Sequence, residues 1–199
     1  QATKREGYEG SDHYKLSERF EIETAKESDY VFTITKALKD ILVENGVEES
    51  KISVLPNAVD ASKFKIIPKD VELEKELGFE NKVVIGYIGS FVDYEGLDLL
   101  LEACSILKEK HGDIFRLLLV GDGDTMQLLR RTARFLQLED QVVFTGRIPH
   151  DEVQKYYSLI DIAPLPRKGL RVCELVSPLK PFEAMGSGKV LVVSSVQAL

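Results

Sequence analysis

Residues 83–123, VVIGYIGSFVDYEGLDLLLEACSILKEKHGDIFRLLLVGDG, hold two short apolar runs on either side of one amphipathic segment. The runs at 83–90 and 115–123 are almost continuously hydrophobic, which is typical of strands that are covered on both faces. The segment between them repeats apolar residues at helical spacing and stops at Gly112. The pattern therefore predicts a right-handed strand–helix–strand unit in a parallel sheet.

The same alternation extends in both directions along the chain. Further strands are predicted at 30–35, 52–59, 142–148, 160–166 and 189–195. Amphipathic helices are predicted in KALKDILVENG (36–46), DTMQLLRRTARFLQL (124–138) and HDEVQKYYSL (150–159). Strands that alternate with helices in this way predict an α/β fold, namely a Rossmann-like doubly wound parallel sheet.

The charged stretch 60–82 contains a proline and interrupts this alternation, so we predict a linker there. Residues 1 to about 60 give only helix, strand, helix and strand, which is too little for a domain. We therefore expect them to be the remnant of a domain that begins upstream. The strand at 189–195 has no covering helix after it, so the domain at 61–199 is expected to be truncated at its C-terminus.

Composition excludes several classes of function. A net charge of -7 argues against a nucleic-acid surface, because phosphate contacts need clustered Lys and Arg. The apolar runs are far shorter than the roughly 20 residues that cross a bilayer, and residues 1–15 lack the apolar centre of a signal peptide, so a cytoplasmic location is expected. Cys104 and Cys173 lie far apart and the histidines are scattered, which predicts no zinc site and no disulfide framework.

Ligands of open parallel sheets bind beyond the carboxyl ends of the strands. The loop GSFVDYEG begins there with Gly89 and Ser90 and ends with Gly96. Two interpretations are open: its backbone N–H groups approach an anion, or its glycines simply form a tight turn. The next such loop, VGDGD at 120–124, lacks the third glycine of a dinucleotide fingerprint, so no nicotinamide cofactor is expected.

Acids, cations and prolines gather in RKGLRVCELVSPLKPFEAMGSG, residues 167–188. Because a residue before proline avoids helical geometry, a short helix is predicted to begin at Pro181, with Glu183 in its first turn and Glu174 in the preceding loop. Three cations flank this start: Arg167, Arg171 and Lys180. Unpaired N–H groups and these cations suit a diphosphate, and the carboxylates suit sugar or ribose hydroxyls. Alternatively, Glu183 only complements the helix dipole and the arginines pair with surface acids.

Taken in order, these segments resemble the donor-binding half of a GT-B glycosyltransferase of family four, the retaining group 1 enzymes. The segments that carry the resemblance are SDYVFTITKALKDIL, KISVLPNAVDASKF, VVIGYIGSFVDYEGLDLLLEA, FRLLLVGDGD, VVFTGRIPHDEVQKYYSLIDIAPLP and ELVSPLKPFEAMGSGKVLVVSS. The resemblance implies two Rossmann-like domains that face a cleft. Residues 1–60 are then a remnant of the acceptor domain with the start of the linker, and residues 61–199 bind the nucleotide-sugar donor.

The resemblance also implies roles for individual residues. It assigns Glu183 to the ribose hydroxyls of the donor and Gly89, followed by Ser90, to the turn near the phosphates. The remaining positions are backbone contacts: Gly146, Arg147 and Ile148 to the nucleobase, and Val176, Ser177, Pro178 and Leu179 to the sugar and diphosphate.

The site departs from the family pattern in two features, namely the spacing of its two glutamates and the charge of its phosphate loop. Eight residues separate Glu174 from Glu183, whereas the family pair has seven, so Glu174 serves only if its loop bulges. The phosphate loop has Ser90 and Glu95 where many members have Arg and Lys. The cations for the leaving group are therefore expected from Arg167, Arg171 and Lys180, and we assign a catalytic role to Glu174, Arg171 and Lys180.

The implied enzyme is a hexosyltransferase that moves a sugar from a UDP-, GDP- or ADP-linked donor to an acceptor hydroxyl, without a metal or other cofactor. The acceptor is expected to be a sugar, lipid or protein that the absent domain holds. Any peripheral membrane contact is also expected to be made by that domain. This chain alone is expected to bind nucleotide weakly and to be inactive. Two alternatives stay open, a GT-B-fold sugar-nucleotide epimerase and a non-catalytic nucleotide-binding or scaffold module.

Overall fold

The computed structural model of the protein describes residues 10–199, so the segment 1–9 of the polar N-terminus lies outside the described residues. Over the described range the helices are α1 (Asp12–Glu27), α2 (Lys36–Glu44), α3 (Val71–Glu76), α4 (Leu97–His111), α5 (Met126–Phe135), α6 (Val153–Leu159), α7 (Arg171–Leu175) and α8 (Lys180–Gly186). The strands are β1 (Val31–Thr33), β2 (Ile52–Val54), β3 (Val83–Ile88), β4 (Phe115–Val120), β5 (Val142–Gly146), β6 (Ile162–Leu165) and β7 (Val190–Val193). Each strand predicted from the sequence is confirmed.

The larger sheet has five parallel strands in the order β5-β4-β3-β6-β7. The chain starts in the middle with β3, moves outward to β5, and then returns to β6 on the other side of β3. This order confirms the predicted doubly wound α/β fold. The strands β1 and β2 form a separate parallel pair.

The central strands β3 and β4 of the larger sheet are buried on both faces, to which their side chains point alternately. Tyr87 and Leu119 belong to a core that also contains α4 and α5 residues. Val84 and Leu118 belong to a second core, to which α6 and α8 contribute. The continuous hydrophobic runs of β3 and β4 therefore serve two cores at once, as the sequence predicted.

The chain divides into two compact units. Of the described residues, the first contains residues 10–57 together with residues 169–178 and 196–198. The second contains residues 58–168, residues 179–195 and Leu199, and thus the whole five-stranded sheet.

The predicted linker at 60–82 is wrong in part, because it contains the helix α3. Asp70 caps this helix by accepting a hydrogen bond from the Leu73 amide at 3.0 Å. Leu73 and Leu77 then pack against the core that contains Val84. The charged residues of this stretch, which suggested a linker, form the exposed side of a short packed helix.

Cys104 is fully buried, and burial raises the pKa of its thiol to about 12. Cys104 thus packs as a small hydrophobic residue of the core. Among the helices described over residues 10–199, none combines the length and the apolarity needed to cross a membrane.

Asp113 predicts a pH-dependent contribution to stability. Arg116 donates to its carboxylate, and so does Lys82 at 2.6 Å, and these bonds hold the pKa of Asp113 well below its usual range. A depressed folded-state pKa stabilises the fold above the unfolded aspartate pKa of about 3.9, and the stabilisation is lost as the pH falls towards the lowered value. We expect Asp113→Asn to lower the Tm at pH 7, with the difference from wild type shrinking below about pH 4.

Thermal unfolding across this pH range tests the prediction, with the exposed Asp140→Asn as the matched control. The control is expected to leave the Tm unchanged at every pH. A Tm difference for Asp113→Asn that is as large at pH 2 as at pH 7 would contradict the assigned cause.

Candidate functional site

The order of the five-stranded sheet determines where a ligand would bind. The order in which strands are added to the sheet reverses between β3 and β6, which are parallel, and open α/β sheets bind ligands in the crevice beyond the carboxyl ends of the strands at such a switch point. Two loops flank it: residues 89–96 after β3, and residues 166–168 after β6.

The loop after β3 is fixed to its neighbours by close backbone contacts. The Gly89 amide donates to the Val120 carbonyl at 2.9 Å, and the Phe91 amide donates to the Asp122 carbonyl at 2.9 Å. A Cβ added to Gly121 would lie 1.9 Å from the Gly89 carbonyl oxygen. Close contact with the loop after β3 therefore explains the glycine at position 121.

Gly89 has a different neighbour, the side chain of Lys180. A Cβ added at Gly89 would lie 2.3 Å from Lys180 Cε, so the lysine stem crosses the turn only because Gly89 has no side chain. The structure thus brings together two residues that the sequence predicted for the site separately.

Three charged side chains meet at this turn, and we call Glu95, Arg167 and Lys180 the switch-point cluster. Lys180 Nζ donates to Glu95 Oε1 at 3.1 Å, and Arg167 Nε lies 3.7 Å from the same oxygen. The side chains of Glu95 and Arg167 are 4% and 3% exposed, whereas that of Lys180 is 20% exposed. Within the cluster, Lys180 is therefore the group that a ligand in solvent reaches first.

Two tyrosines support the cluster. Lys180 Nζ lies 5.6 Å from the centre of the Tyr87 ring, and the Arg167 guanidinium lies 5.6 Å from the centre of the Tyr94 ring, both within cation–π range. Burial raises the pKa of Tyr87 far above its usual value, and the negative charge of Glu95 raises it further. The Tyr87 hydroxyl therefore stays protonated and donates to the Ser90 carbonyl at 3.1 Å.

The rest of the loop after β3 is acidic. Lys168 Nζ lies 2.8 Å from Asp93 Oδ1 and 2.9 Å from Asp98 Oδ2. Asp93 and Glu95 thus place carboxylates on the loop and Asp98 adds one at the start of α4, and the cations that face them come from residues 167–168 and from α8. The positive charge at this turn is therefore supplied from outside the loop.

The helix α8 begins one residue earlier than predicted. Lys180 is its first residue and Pro181 its second, and Leu179 before them already has helical dihedral angles. The steric bias against helix before proline is overridden here, so the prediction that Lys180 lies outside the helix is wrong. Glu183 lies in the first turn, as predicted, and the helix ends at Gly186.

Glu183 is half-buried and has one defined partner. The Tyr157 hydroxyl donates to Glu183 Oε2 at 3.2 Å. Burial raises the pKa of Tyr157, and the neighbouring Glu183 charge raises it further, so the tyrosine remains a hydrogen-bond donor. A carboxylate accepts several hydrogen bonds, which leaves Glu183 capacity for further donors.

The predicted base-binding residues follow β5. Gly146 has a φ of +75°, which favours glycine, and its carbonyl accepts from the Gly121 amide at 2.9 Å. The Arg147 side chain is 83% exposed, with its Nε 3.9 Å from Asp122 Oδ2. Ile148 packs on the core that contains Val84, so only part of this loop is available to a ligand.

The other predicted site residues belong to the first unit. Glu174 lies inside α7 rather than in a loop, which corrects the prediction, and its Oε2 accepts from the Gln197 amide at 2.7 Å. The Ser177 carbonyl accepts from Asn57 Nδ2 at 2.6 Å. Arg171 donates to the Tyr14 hydroxyl at 2.9 Å and lies 3.4 Å from Glu18, which is the surface pairing that the alternative interpretation predicted. The roles assigned to Arg171, Glu174 and the stretch Val176, Ser177 and Pro178 stay predictions.

Two residues of the site were missed as participants. The sequence identified Glu95 only as an acid at a position where many family members have Lys. Its place directly before Gly96, in the loop after β3, was the signal that could have identified it as a site residue. Tyr157 lies at a core position of α6, and nothing in the sequence distinguishes it from an ordinary buried tyrosine. Among the described residues, no cluster of His, Cys, Asp and Glu could hold a metal ion.

Comparisons with known proteins agree with this architecture. The family model described as glycosyl transferases group 1 matches residues 82–199. Mannosylfructose-phosphate synthase of Agrobacterium fabrum is 27% identical over 207 residues, which cover 96% of this chain and 43% of that protein. A glycosyltransferase of Methanocaldococcus jannaschii is 27% identical over 202 residues, which cover 95% of this chain and 48% of that protein.

Solved structures share the fold at lower identity. HepE of Anabaena, crystallised with UDP-glucose, superposes with a TM-score of 0.78 at 21% identity, over 94% of this chain and 51% of that one. WaaG, a glycosyltransferase involved in lipopolysaccharide biosynthesis, gives a TM-score of 0.78 at 20% identity, over 98% and 52% of the two chains. The chain spans about half the length of the relatives it matches. With more than half of its residues matched by the family model, the chain belongs to the glycosyl transferases group 1 family, which confirms the resemblance found in its sequence.

Proposed function

We propose that this chain is the donor-binding part of a retaining glycosyltransferase, which moves a hexose from a nucleotide sugar to an acceptor hydroxyl. Membership of the family supports the reaction class. The HepE structures, which contain UDP and UDP-glucose, support a nucleotide sugar as the ligand of this fold.

One observation carries the proposal, the Lys180 ammonium at the switch point. It is partly exposed, it lies across Gly89 at the carboxyl end of β3, and Glu95 fixes its position. A cation held in place before the reaction stabilises negative charge as it develops on a leaving phosphate. Lys180 is therefore assigned to the diphosphate of the donor.

Glu183 and the loop after β5 complete the proposed donor site. The ionised Glu183 accepts hydrogen bonds from the ribose hydroxyls, while Tyr157 keeps the carboxylate in place. The backbone of Gly146, Arg147 and Ile148 contacts the nucleobase. The acceptor hydroxyl then attacks on the face from which the diphosphate leaves, and no metal is required in this scheme.

Calorimetry against UDP, GDP and ADP, each with and without its sugar, tests the proposal. We expect one nucleotide to bind, and we expect Lys180→Met to weaken its binding by about tenfold, the effect of losing one hydrogen bond to a charged group. Lys82→Met is the matched control, because Lys82 is also ion-paired but precedes β3 at the opposite end of the strand. Unchanged affinity in Lys180→Met would contradict the assignment.

A non-catalytic scaffold module is the second candidate, and the acidic loop after β3 favours it. The carboxylates of Asp93 and Glu95 in this loop, and that of Asp98 at the start of α4, oppose phosphate binding by charge. A folded chain that binds none of the nucleotides would support the scaffold and contradict the proposed donor site. An epimerase would instead convert its nucleotide sugar without any acceptor.

A further inference from the structure

We propose that Glu95 makes this site prefer a nucleotide sugar over the free nucleoside diphosphate that remains after sugar transfer. The proposal deepens the function proposed above and rests on it. Its basis is the buried carboxylate of Glu95, which lies directly behind the partly exposed cation of the switch-point cluster, Lys180. Weaker binding of the spent nucleotide favours its exchange for a fresh donor.

Geometry limits the distance between Glu95 and any anion held by Lys180. Lys180 Nζ is 3.1 Å from Glu95 Oε1. A phosphate oxygen that accepts a hydrogen bond from the same ammonium lies about 2.7–2.9 Å from it. The phosphate oxygen and the Glu95 carboxylate are therefore at most about 6 Å apart.

Because Glu95 is buried, its charge acts strongly on an anion at this distance. The Glu95 side chain is 4% exposed, so little water screens its charge. Its second oxygen, Oε2, is buried and accepts no hydrogen bond from the residues that the structure describes. Glu95 thus acts on a bound anion through its charge, without contact with it.

The two ligands differ by one charge at the point that Lys180 holds. The terminal phosphate of a free nucleoside diphosphate loses its second proton with a pKa of about 6, whereas in a nucleotide sugar that oxygen is esterified. At pH 8 the free diphosphate therefore carries one additional negative charge. Repulsion between unit charges at about 6 Å weakens its binding by about threefold in water, and by more through the protein interior.

The ratio of two affinities tests the proposal. Calorimetry at pH 8 measures the nucleotide that binds best and its sugar conjugate against wild type, Glu95→Gln and Glu95→Asp. We expect Glu95→Gln to strengthen the binding of the free diphosphate relative to the conjugate by at least about threefold, and Glu95→Asp to keep the wild-type ratio. A merely structural role of Glu95 would change both affinities together and leave the ratio fixed.

The outcomes separate this proposal from the function on which it rests. If wild type binds neither ligand, the proposed function fails. If wild type binds both and the ratio is unchanged in Glu95→Gln, only the role of Glu95 is overturned. If circular dichroism shows that Glu95→Gln does not fold, Arg167→Gln is compared with the double variant Glu95→Gln/Arg167→Gln, and the same shift in the ratio is expected; an unchanged ratio there also overturns the proposal.

Discussion

A Gly96→Ala variant is expected to lose about 2–5 kcal/mol of stability. Gly96 has a φ of +70°, which costs an L-residue about 1–2 kcal/mol. In addition, its new Cβ would lie 1.9 Å from the Pro166 carbonyl oxygen, and overpacking of this kind costs about 1–3 kcal/mol. The loops after β3 and β6 would have to separate, so the switch-point cluster would be disrupted together with the fold.

Gly78→Ala is the matched control for this variant. Gly78 has a φ of +69°, but nothing lies within 4 Å of its added Cβ. We expect Gly78→Ala to lose only the stability that the positive φ costs an L-residue, about 1–2 kcal/mol. Denaturant unfolding measures both variants, and equal losses would show that the contact between Gly96 and Pro166 does not constrain the loops.

Glu183→Ala is expected to weaken nucleotide binding by about a hundredfold, the effect of losing two hydrogen bonds from ribose to a charged acceptor. The ligand itself provides the most direct test. A 2′,3′-dideoxy form of the same nucleotide lacks both hydroxyls, so it should bind wild type and Glu183→Ala with similar affinity. Calorimetry of both ligands against both proteins gives four affinities, which form a thermodynamic cycle that measures the coupling between Glu183 and the ribose hydroxyls.

Tyr157→Phe is the control for the position of Glu183. It removes the hydroxyl that donates to Oε2 and keeps the buried ring. We expect a loss of about fivefold or less, because the carboxylate remains and loses only one fixing contact. If Glu183→Ala weakens the dideoxy nucleotide as strongly as the natural one, Glu183 does not bind the ribose.

The fold was predictable because its signals are local. In β3 and β4 each run of apolar residues serves both cores, so the pattern of a buried parallel strand is present within a few residues. The helices α3 and α7 were not predicted, because six and five residues are too short to show a helical period. For α3 the cap at Asp70 was a usable signal, but the surrounding charge outweighed it.

The site was predictable only in part, since its geometry depends on residues far apart in sequence. The chemical types at Lys180 and Glu183 suggested an anion and hydroxyl groups, and the resemblance gave them roles. The pairing of Glu95 with Lys180 and Arg167 joins three separate segments, and no local pattern encodes it. The ion pair between Arg171 and Glu18 agrees with the alternative interpretation of the sequence, in which the arginines pair with surface acids.

At the switch point the backbone of the turn and the charged side chains beside it come from different segments of the chain, which has a practical consequence for protein engineering. The turn after β3 is held by glycines and main-chain bonds, whereas Lys180 and Glu183 belong to a different stretch of the chain. A combinatorial library restricted to positions 180 and 183 would therefore vary the two side chains that we propose bind the donor, while the glycines and main-chain bonds of the turn stay unchanged. Randomising the turn itself would mostly yield misfolded proteins.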